Sequence, residues 1–501
     1  MRGYCVNLRK QFILSHESLS PTLPSYALPE QKKLSGGYAF RYSSDLEFSF
    51  HEGRSHWFLL IGKAYDLNAL GKGLNELVAH FHNCIDFSEV VETTKFWVGR
   101  WILVFGNDKR VIVLGDPSNT KGIYYSFRHG SIIVGADPNL LALAIDEAET
   151  AEGTDFSLRF VMSRKGDWWP GEATAYKSIK ALLANHFVSS ESQEVFRYWP
   201  TRPRTSMSYQ SAIEEAGSLL RRALRTIAFR EPVALPVTAG LDSRLLLAAS
   251  LPMSDRIHYF VSAHGGKTHS YPDIAVPKAL FRSLQIPFHV YEGTAVIASG
   301  LLPEFRRCHP QAKPEYIQFA FPSHPDWPKN IQTVLEGPVN EVGCRYYGNR
   351  LFSLDPKELC RLAAMSGDFP ERHMKAWLED AQEACQKTRY EALDLFYWEQ
   401  RTGRWVSKIA NELDFFFDPV YPYNCRAYLD LIVSIPFREK NYPNRKFFVD
   451  LISYLEPKLL EFPINPCVSF SDAFIRLVRR TPVEKYFRNL FYQLQEARII
   501  K

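Results

Sequence analysis

The chain has 501 residues, 46% of them hydrophobic and 23% charged, with a formal net charge of +5. That is globular composition at a length suited to two or three domains, and the slight positive balance comes without the basic block or arm of a nucleic-acid binder. The eight cysteines form no C-x-x-C pair and are too sparse for a zinc site or disulfide scaffold. Thiols in a reducing compartment are expected. MRGYCVNLRKQF lacks the apolar region of a signal peptide, and no run approaches about eighteen apolar residues, so a soluble, cytoplasmic chain without membrane contact is expected.

Residues 1–200 read as β-rich. HWFLLIGKAYDL (56–67), KFWVGRWILVF (95–105), RVIVLG (110–115) and SIIVGA (131–136) are short β-branched and aromatic runs bounded by Gly, Asn and Asp. Between them LNALGKGLNELVAHFH (67–82) puts Leu70, Leu74, Leu77 and Val78 on one stripe, which predicts a helix. The sum is an α+β region with antiparallel sheets, ending at a Pro- and Ser-rich linker, RYWPTRPRTSMS (197–208).

The rhythm then changes. Residues 209–229 carry Ile213, Ala216, Leu220, Ala223, Leu224 and Ile227 at helical spacing with charges opposite. VALPVT reads as strand, SRLLLAAS as helix, IHYFVSA as strand and 273–284 as helix. PFHVY as strand, a helix over 294–307 and strand IQTVLEG (331–337) continue the series. Such alternation implies a parallel sheet covered on both faces. From about 355 the pattern is mostly helical.

One turn in this series combines chemistry with placement. After the apolar run Val233–Val237 come Thr238, Ala239, Gly240, Leu241, Asp242 and Ser243, and Arg244 opens the next apolar run. In an open parallel sheet ligands bind beyond the carboxyl ends of the strands. A helix start there offers N–H groups and a positive dipole end to phosphate oxygens. Ala239 and Gly240 allow close approach and Ser243 can donate a hydrogen bond. Asp242 has no use for phosphate itself but can hold a Mg2+ that bridges phosphates. A packed strand-to-helix connection is the alternative.

This hexapeptide resembles the S-G-G-x-D-S pyrophosphate loop of ATP pyrophosphatases, in the form used by asparagine synthetases and their relatives, with Thr for the first Ser and Ala for the first Gly. Other stretches resemble that family in its own order. GRWILVFGNDKRVIVLGDPSNTKGIYYS (99–126) is similar to G-x-F…D-x-x-G-x-x-x-L-Y-Y of the glutaminase-type domain. TAYKSIKALLANHF (174–187) with FRYWP (196–200) resembles the passage before the synthetase domain. YPDIAVPKALFRSLQIPFHVY (271–291) resembles D-x-x-x-A…L-G-x-x-H, and DPVYPYNCRAYLDLIVSIP (418–436) resembles R-x-P-F-L-D…L-P. Together they span roughly residues 95–460.

The resemblance implies an α/β protein. Residues 1–200 would form a degenerate glutaminase-like, N-terminal-nucleophile-type domain with antiparallel sheets. Residues 205–501 would form a parallel-sheet, adenine-nucleotide α-hydrolase-like synthetase domain with a helical C-terminal part. It also implies an ATP-dependent ligase that adenylates a carboxylate with ATP and Mg2+ and passes the acyl group to an amine. Thr238, Ala239, Gly240, Leu241, Asp242 and Ser243 would hold the pyrophosphate and Asp273 the nucleotide pocket.

Departures from the pattern shape the rest. Glutamine-hydrolysing members expose a cysteine at residue 2; as numbered here residue 2 is Arg2 and the nearest thiol is Cys5, for which a buried strand cysteine is the plain reading. No glutaminase activity is expected, as in β-lactam synthetases and lasso-peptide cyclases, and the amine comes from the substrate itself, from free ammonia or from a separate compound.

In EGPVNEVGCRYYGNR (336–350), Gly337 matches the family's acidic loop and Pro338 stands where an acid would. Glu341, one place short, is the candidate Mg2+ ligand with Asp242, or a base; Tyr346 and Tyr347 are looser candidates. A solvated glutamate is the alternative. The family's lysine falls in register on Arg445, with Lys446 beside it, and either can stabilise charge on the acyl-adenylate. The histidines lack metal-ligand spacing. Amino acid, peptide and glycan carboxylates stay open as substrates, as does a homodimer. A catalytically inactive binding or scaffold protein is the rival reading, favoured by Ala239 and Pro338.

Overall fold

The computed structural model describes residues 9–17, 28–84, 86–163, 167–204, 207–263, 271–347, 354–440 and 445–466. Twelve strands precede residue 200: β1 (Phe12–His16), β2 (Glu30–Leu34), β3 (Tyr38–Tyr42), β4 (Phe48–Glu52), β5 (Trp57–Asp66), β6 (Trp97–Gly106), β7 (Val111–Gly115), β8 (Tyr124–Arg128), β9 (Ser131–Gly135), β10 (Lys180–Ala181), β11 (His186–Ser189) and β12 (Glu194–Arg197). They form two six-stranded sheets, ordered β10-β8-β9-β1-β3-β2 and β12-β11-β7-β6-β5-β4. Every pairing is antiparallel.

Strand alternation assigns the faces. Leu59 and Ile61 join Phe12, Leu14, Phe40 and Val134 in a core between the sheets. Phe58 and Leu60 point outward, where α1 (Leu74–Ala79) and α2 (Phe87–Thr94) cover them through Leu74, Leu77, Val78 and Val90. On the far face of the first sheet, Ile13 and Ile133 meet Leu140 and Leu141 of α3 (Pro138–Ala144), which α4 (Ala151–Phe156) follows. The layers therefore run α–β–β–α. The helix expected from residue 67 begins only at Leu74: Gly71 sits at φ +83°, a turn conformation, and Leu70 is left 41% exposed.

The second half is parallel α/β. Helix α5 (Tyr209–Arg230), capped by the Ser208 hydroxyl, buries all six of the spaced apolar residues. Then come β13 (Val233–Pro236), α6 (Leu241–Ser250), β14 (Ile257–Ala263), α7 (Pro272–Leu284), β15 (His289–Glu292), α8 (Thr294–Ile297), α9 (Leu302–Cys308) and β16 (Thr333–Leu335). The single helix expected over 294–307 is thus two short ones with Gly300 between. Helices α10 (Pro356–Leu362), α11 (Asp368–Thr388), α12 (Ala392–Leu395) and α13 (Ser407–Leu413) lead to β17 (Asp418–Val420), a strand inside a stretch read as helical. Residues 396–406 wind as a π-helix between α12 and α13. Helices α14 (Arg426–Ser434), α15 (Phe437–Lys440) and α16 (Lys446–Leu455) complete the described chain.

Sheet order is β15-β14-β13-β16-β17, all parallel. The chain steps outward from β13 to β14 and β15, then returns to the other side for β16 and β17. The carboxyl ends of β13 and β16 therefore flank the switch point, where open α/β sheets open a crevice.

The two halves share one apolar cluster and also meet through buried charged and polar groups. Arg100 on β6 pairs with Asp414 at 2.8 Å, both almost fully buried, and Lys121 reaches the same carboxylate at 3.2 Å. Asp116 accepts from the Asn424 amide at 2.6 Å. Among the described residues no helix is long and apolar enough to cross a membrane. Cys84, Cys308, Cys344, Cys360 and Cys425 are buried, Cys385 is half-buried, and all six are free thiols.

Candidate functional site

The turn 238–243 lies where the sequence put it, between β13 and α6. Val237 extends the ladder by donating to the Phe260 carbonyl at 2.8 Å, and the chain then bends. Thr238 N–H donates to the Ser243 hydroxyl at 3.2 Å, Ala239 N–H to Asp273 Oδ1 at 3.3 Å, and Gly240 N–H to the Thr238 hydroxyl at 3.1 Å. Asp273, at the start of α7, is thus joined to the turn. No side chain caps the start of α6. Its first-turn amides and dipole remain the anion-favouring feature of the turn.

Gly337, just beyond β16, approaches so closely that a Cβ there would sit 3.3 Å from Asp242 Cβ. The segment after it carries two of the site's polar groups. The Asn340 amide donates to Asp242 Oδ1 at 2.7 Å while its carbonyl oxygen accepts from the buried Tyr428 hydroxyl at 2.8 Å. Tyr423 holds the other end of Asp242, donating to its backbone carbonyl at 2.7 Å. Glu341 accepts a short hydrogen bond from Tyr397, which the π-helical run presents. The rings of Tyr346 and Tyr347 pack at a tilt around Tyr397, with centroids 5.2 Å and 5.9 Å away.

Arg445 closes the arrangement. Its guanidinium lies 3.7 Å from Asp242 Oδ2 and 3.7 Å from Glu341 Oε1. Its backbone is left-handed (φ 44°, ψ 44°) at the N-cap of α16, a conformation that costs a non-glycine residue energy and clusters at functional sites. Asp394 fixes the flanks: it accepts from Arg345, which ends the Glu341 segment, at 3.1 Å and from Lys440 at 3.0 Å. Lys446 is not part of the arrangement. It is 54% exposed and turned to Asp450 and Tyr209.

Burial first, and the Glu341 charge second, push the Asp242 carboxyl up to about 6, against the opposing pull of Arg445 and the Asn340 amide. Two converging carboxylates with one guanidinium between them form an oxygen donor set that suits Mg2+, which takes one or two carboxylates and completes its shell with water and phosphate. Asp242 and Glu341 would hold it.

Several contributors were not legible in the sequence. Asn340 is an ordinary loop residue until its two hydrogen bonds are seen. Glu336 ends the β16 segment; burial alone pushes its carboxyl up to about 8, and no hydrogen bond or ion pair engages it among the described residues. Asn465 donates its N–H to the Ala239 carbonyl at 2.8 Å. It is brought there by the fully buried Arg244, which donates to the carbonyls of Leu459, Phe462 and Pro463 at 3.0, 2.7 and 3.0 Å. A charged residue opening an apolar helix was the available signal. Of the histidines, His51 and His82 do meet, at 3.1 Å. No group of three metal-ligating side chains is found among the described residues. Arg2 and Cys5 lie outside them, as do His264 and His269.

No model of a known protein family matches this chain, and no curated protein matches it either. Among solved structures it is similar to a glutamine phosphoribosylpyrophosphate amidotransferase from B. subtilis complexed with ADP and GMP. The identity is 9%, the TM-score 0.22, and the match covers 56% of this chain and 59% of that one. It is similar to the allosteric regulatory enzyme of purine biosynthesis at 10% identity and TM-score 0.26, over 61% of this chain and 73% of that one. A third is a glutamine-dependent NAD+ synthetase from Acinetobacter baumannii in complex with ADP, at 16% identity and TM-score 0.17, over 30% of this chain and 28% of that one. None of these likenesses assigns the chain to a family. The chain spans 59% of the first structure's length.

Proposed function

We propose that this chain is an ATP-dependent carbon–nitrogen ligase of the asparagine-synthetase-like kind, releasing AMP and pyrophosphate. The observation that carries the reading is the convergence of Asp242, Glu341 and Arg445 beside the uncapped start of α6, at the switch point of the parallel sheet. The order of the resembling stretches along the sequence supports it. On this reading residues 1–200 and 205–501 are the two domains.

The chemistry follows from what each group can do. A carboxylate oxygen of the substrate bonds to the α-phosphorus of ATP, and the bond from that phosphorus to the pyrophosphate oxygen breaks. The α6 amides, Ser243 and Thr238 bind the departing pyrophosphate; Asp242 and Glu341 would hold Mg2+, which when bound would offset the phosphate charge. An amine nitrogen then bonds to the acyl carbon and AMP leaves. Arg445 stabilises the charge that develops.

The test is ATP–pyrophosphate exchange with pooled amino acids, small peptides and uronic acids. Stimulation by one class, lost in Asp242→Asn, supports adenylation.

The second reading, a binding or scaffold protein without catalysis, already favoured by Ala239 and Pro338, gains one structural feature. Asp273 already takes the Ala239 amide and sets a carboxylate against the turn. Mg2+-dependent ATP binding without exchange for any carboxylate class would support it.

A further inference from the structure

A second cavity lies away from the nucleotide turn, where the two halves of the chain meet. It has a volume of about 610 Å3 and is lined by Leu158 and Met162 from the first half and by Arg306 and Arg307 of α9 from the second. That volume is within the range of about 300–1,000 Å3 typical of small-molecule sites. Leu158 and Met162 are 62% and 48% exposed, an apolar surface left open among the described residues. Neither Arg306 nor Arg307 forms an ion pair among the described residues, so both guanidinium groups are available to an anion.

The inner wall of this cavity, Asn139, Pro310 and Gln311, is shared with a smaller one of about 60 Å3 lined by His309, Lys408, Asn411 and Glu412. Glu412 is 4% exposed. One of its carboxylate oxygens accepts from Lys408 at 2.6 Å; the other is buried with no hydrogen-bond partner among the described residues. A buried oxygen left unsatisfied is costly unless something else completes it. Burial raises this carboxyl to about 7, and a cation brought beside it would restore the ionised form.

We propose that this seam binds an elongated zwitterion with an apolar body, of the class of a free short peptide. Its carboxylate would meet Arg306 and Arg307, its aliphatic side chains Leu158 and Met162, and its ammonium the buried, unsatisfied oxygen of Glu412 at the wall of the smaller cavity. Charge complementarity at the two ends and the uncovered apolar surface between them select this ligand over a nucleotide, which has no cation to offer Glu412. The site is independent of the adenylation chemistry proposed above.

Calorimetric titration of the full chain with leucyl-leucine and leucyl-leucyl-leucine, without ATP, tests it. At least one should bind saturably, and N-acetylation or C-terminal amidation of that peptide should each weaken binding about tenfold or more. The exposed double variant Arg306→Ala/Arg307→Ala should lose discrimination against the amide and keep it against the acetyl peptide. The near-isosteric Glu412→Gln should do the reverse, with unchanged circular dichroism spectra confirming that both variants fold. No binding up to about 10 mM, or binding indifferent to end-blocking or to both variants, overturns the proposal.

Discussion

Arg445 stands 3.7 Å from Asp242 and 3.7 Å from Glu341, so one guanidinium bridges a residue of the turn after β13 and a residue of the segment after β16. The Glu341 charge raises the cost of ionising Asp242, and the Arg445 cation offsets it. Replacing one acid by its amide removes one of the two carboxylates proposed to hold Mg2+ without changing shape. Asp242→Asn and Glu341→Gln should each lower ATP–pyrophosphate exchange by about a hundredfold or more, with an unchanged circular dichroism spectrum. Exchange at wild-type rate in either variant removes that acid from the site.

Arg445 and Lys446 are adjacent in sequence but differ in what they face. Lys446 is exposed and bound to Asp450, an arrangement worth little. Lys446→Ala should change the amide-forming rate by less than about fivefold. Arg445→Ala should reduce it far more, and equal effects in the two variants would show that the assignment between them is wrong.

The walls that carry Glu341 and Arg445 share one anchor. Asp394 is buried and bound to both Arg345 and Lys440. Asp394→Ala leaves the buried Lys440 without its acid and Arg345 with only the more exposed Glu391, a change that costs about 3–5 kcal/mol when a buried pair is broken. A lowered urea midpoint, with KM for ATP raised more than kcat falls, is the expected result. Unaltered stability would mean that Asp394 is not the anchor.

Much of this was legible in the sequence because it depends on local pattern. The six apolar positions of α5 and the bounds of β14 follow from side-chain period alone. The turn at Gly240 is readable because small residues between a strand and a helix serve few purposes. What escaped is set by distant partners. β17 is three residues long and exists because the edge of β16 is there to pair with it. Asn340, Tyr397 and Asn465 acquire meaning only when the chain brings them to Asp242, Glu341 and Ala239. The break of the 67–82 stripe at Gly71 was in the sequence, but the leucine spacing outweighed it.

Glu412 predicts a pH dependence of stability. Its carboxyl is raised from 4.5 to about 7 in the folded chain, so the folded state binds more protons than the unfolded state between those values. The stabilisation is complete below about 4.5 and is lost as pH rises through 7, with a ceiling on the order of 3 kcal/mol. Urea midpoints from pH 5 to 8.5 should fall for the wild type relative to Glu412→Gln up to about pH 7 and then run parallel. Parallel curves throughout would place the Glu412 carboxyl at its ordinary value.

The central claim is that the start of α6, with Asp242, grips a magnesium-bound pyrophosphate, and it can be measured without knowing the acid or the amine. Isothermal titration of the full chain with ATP and with pyrophosphate, each with and without Mg2+, addresses it directly. The account predicts saturable, Mg2+-dependent binding of both, lost in Asp242→Asn. Binding of neither ligand, or binding that Asp242→Asn leaves unchanged, would contradict it.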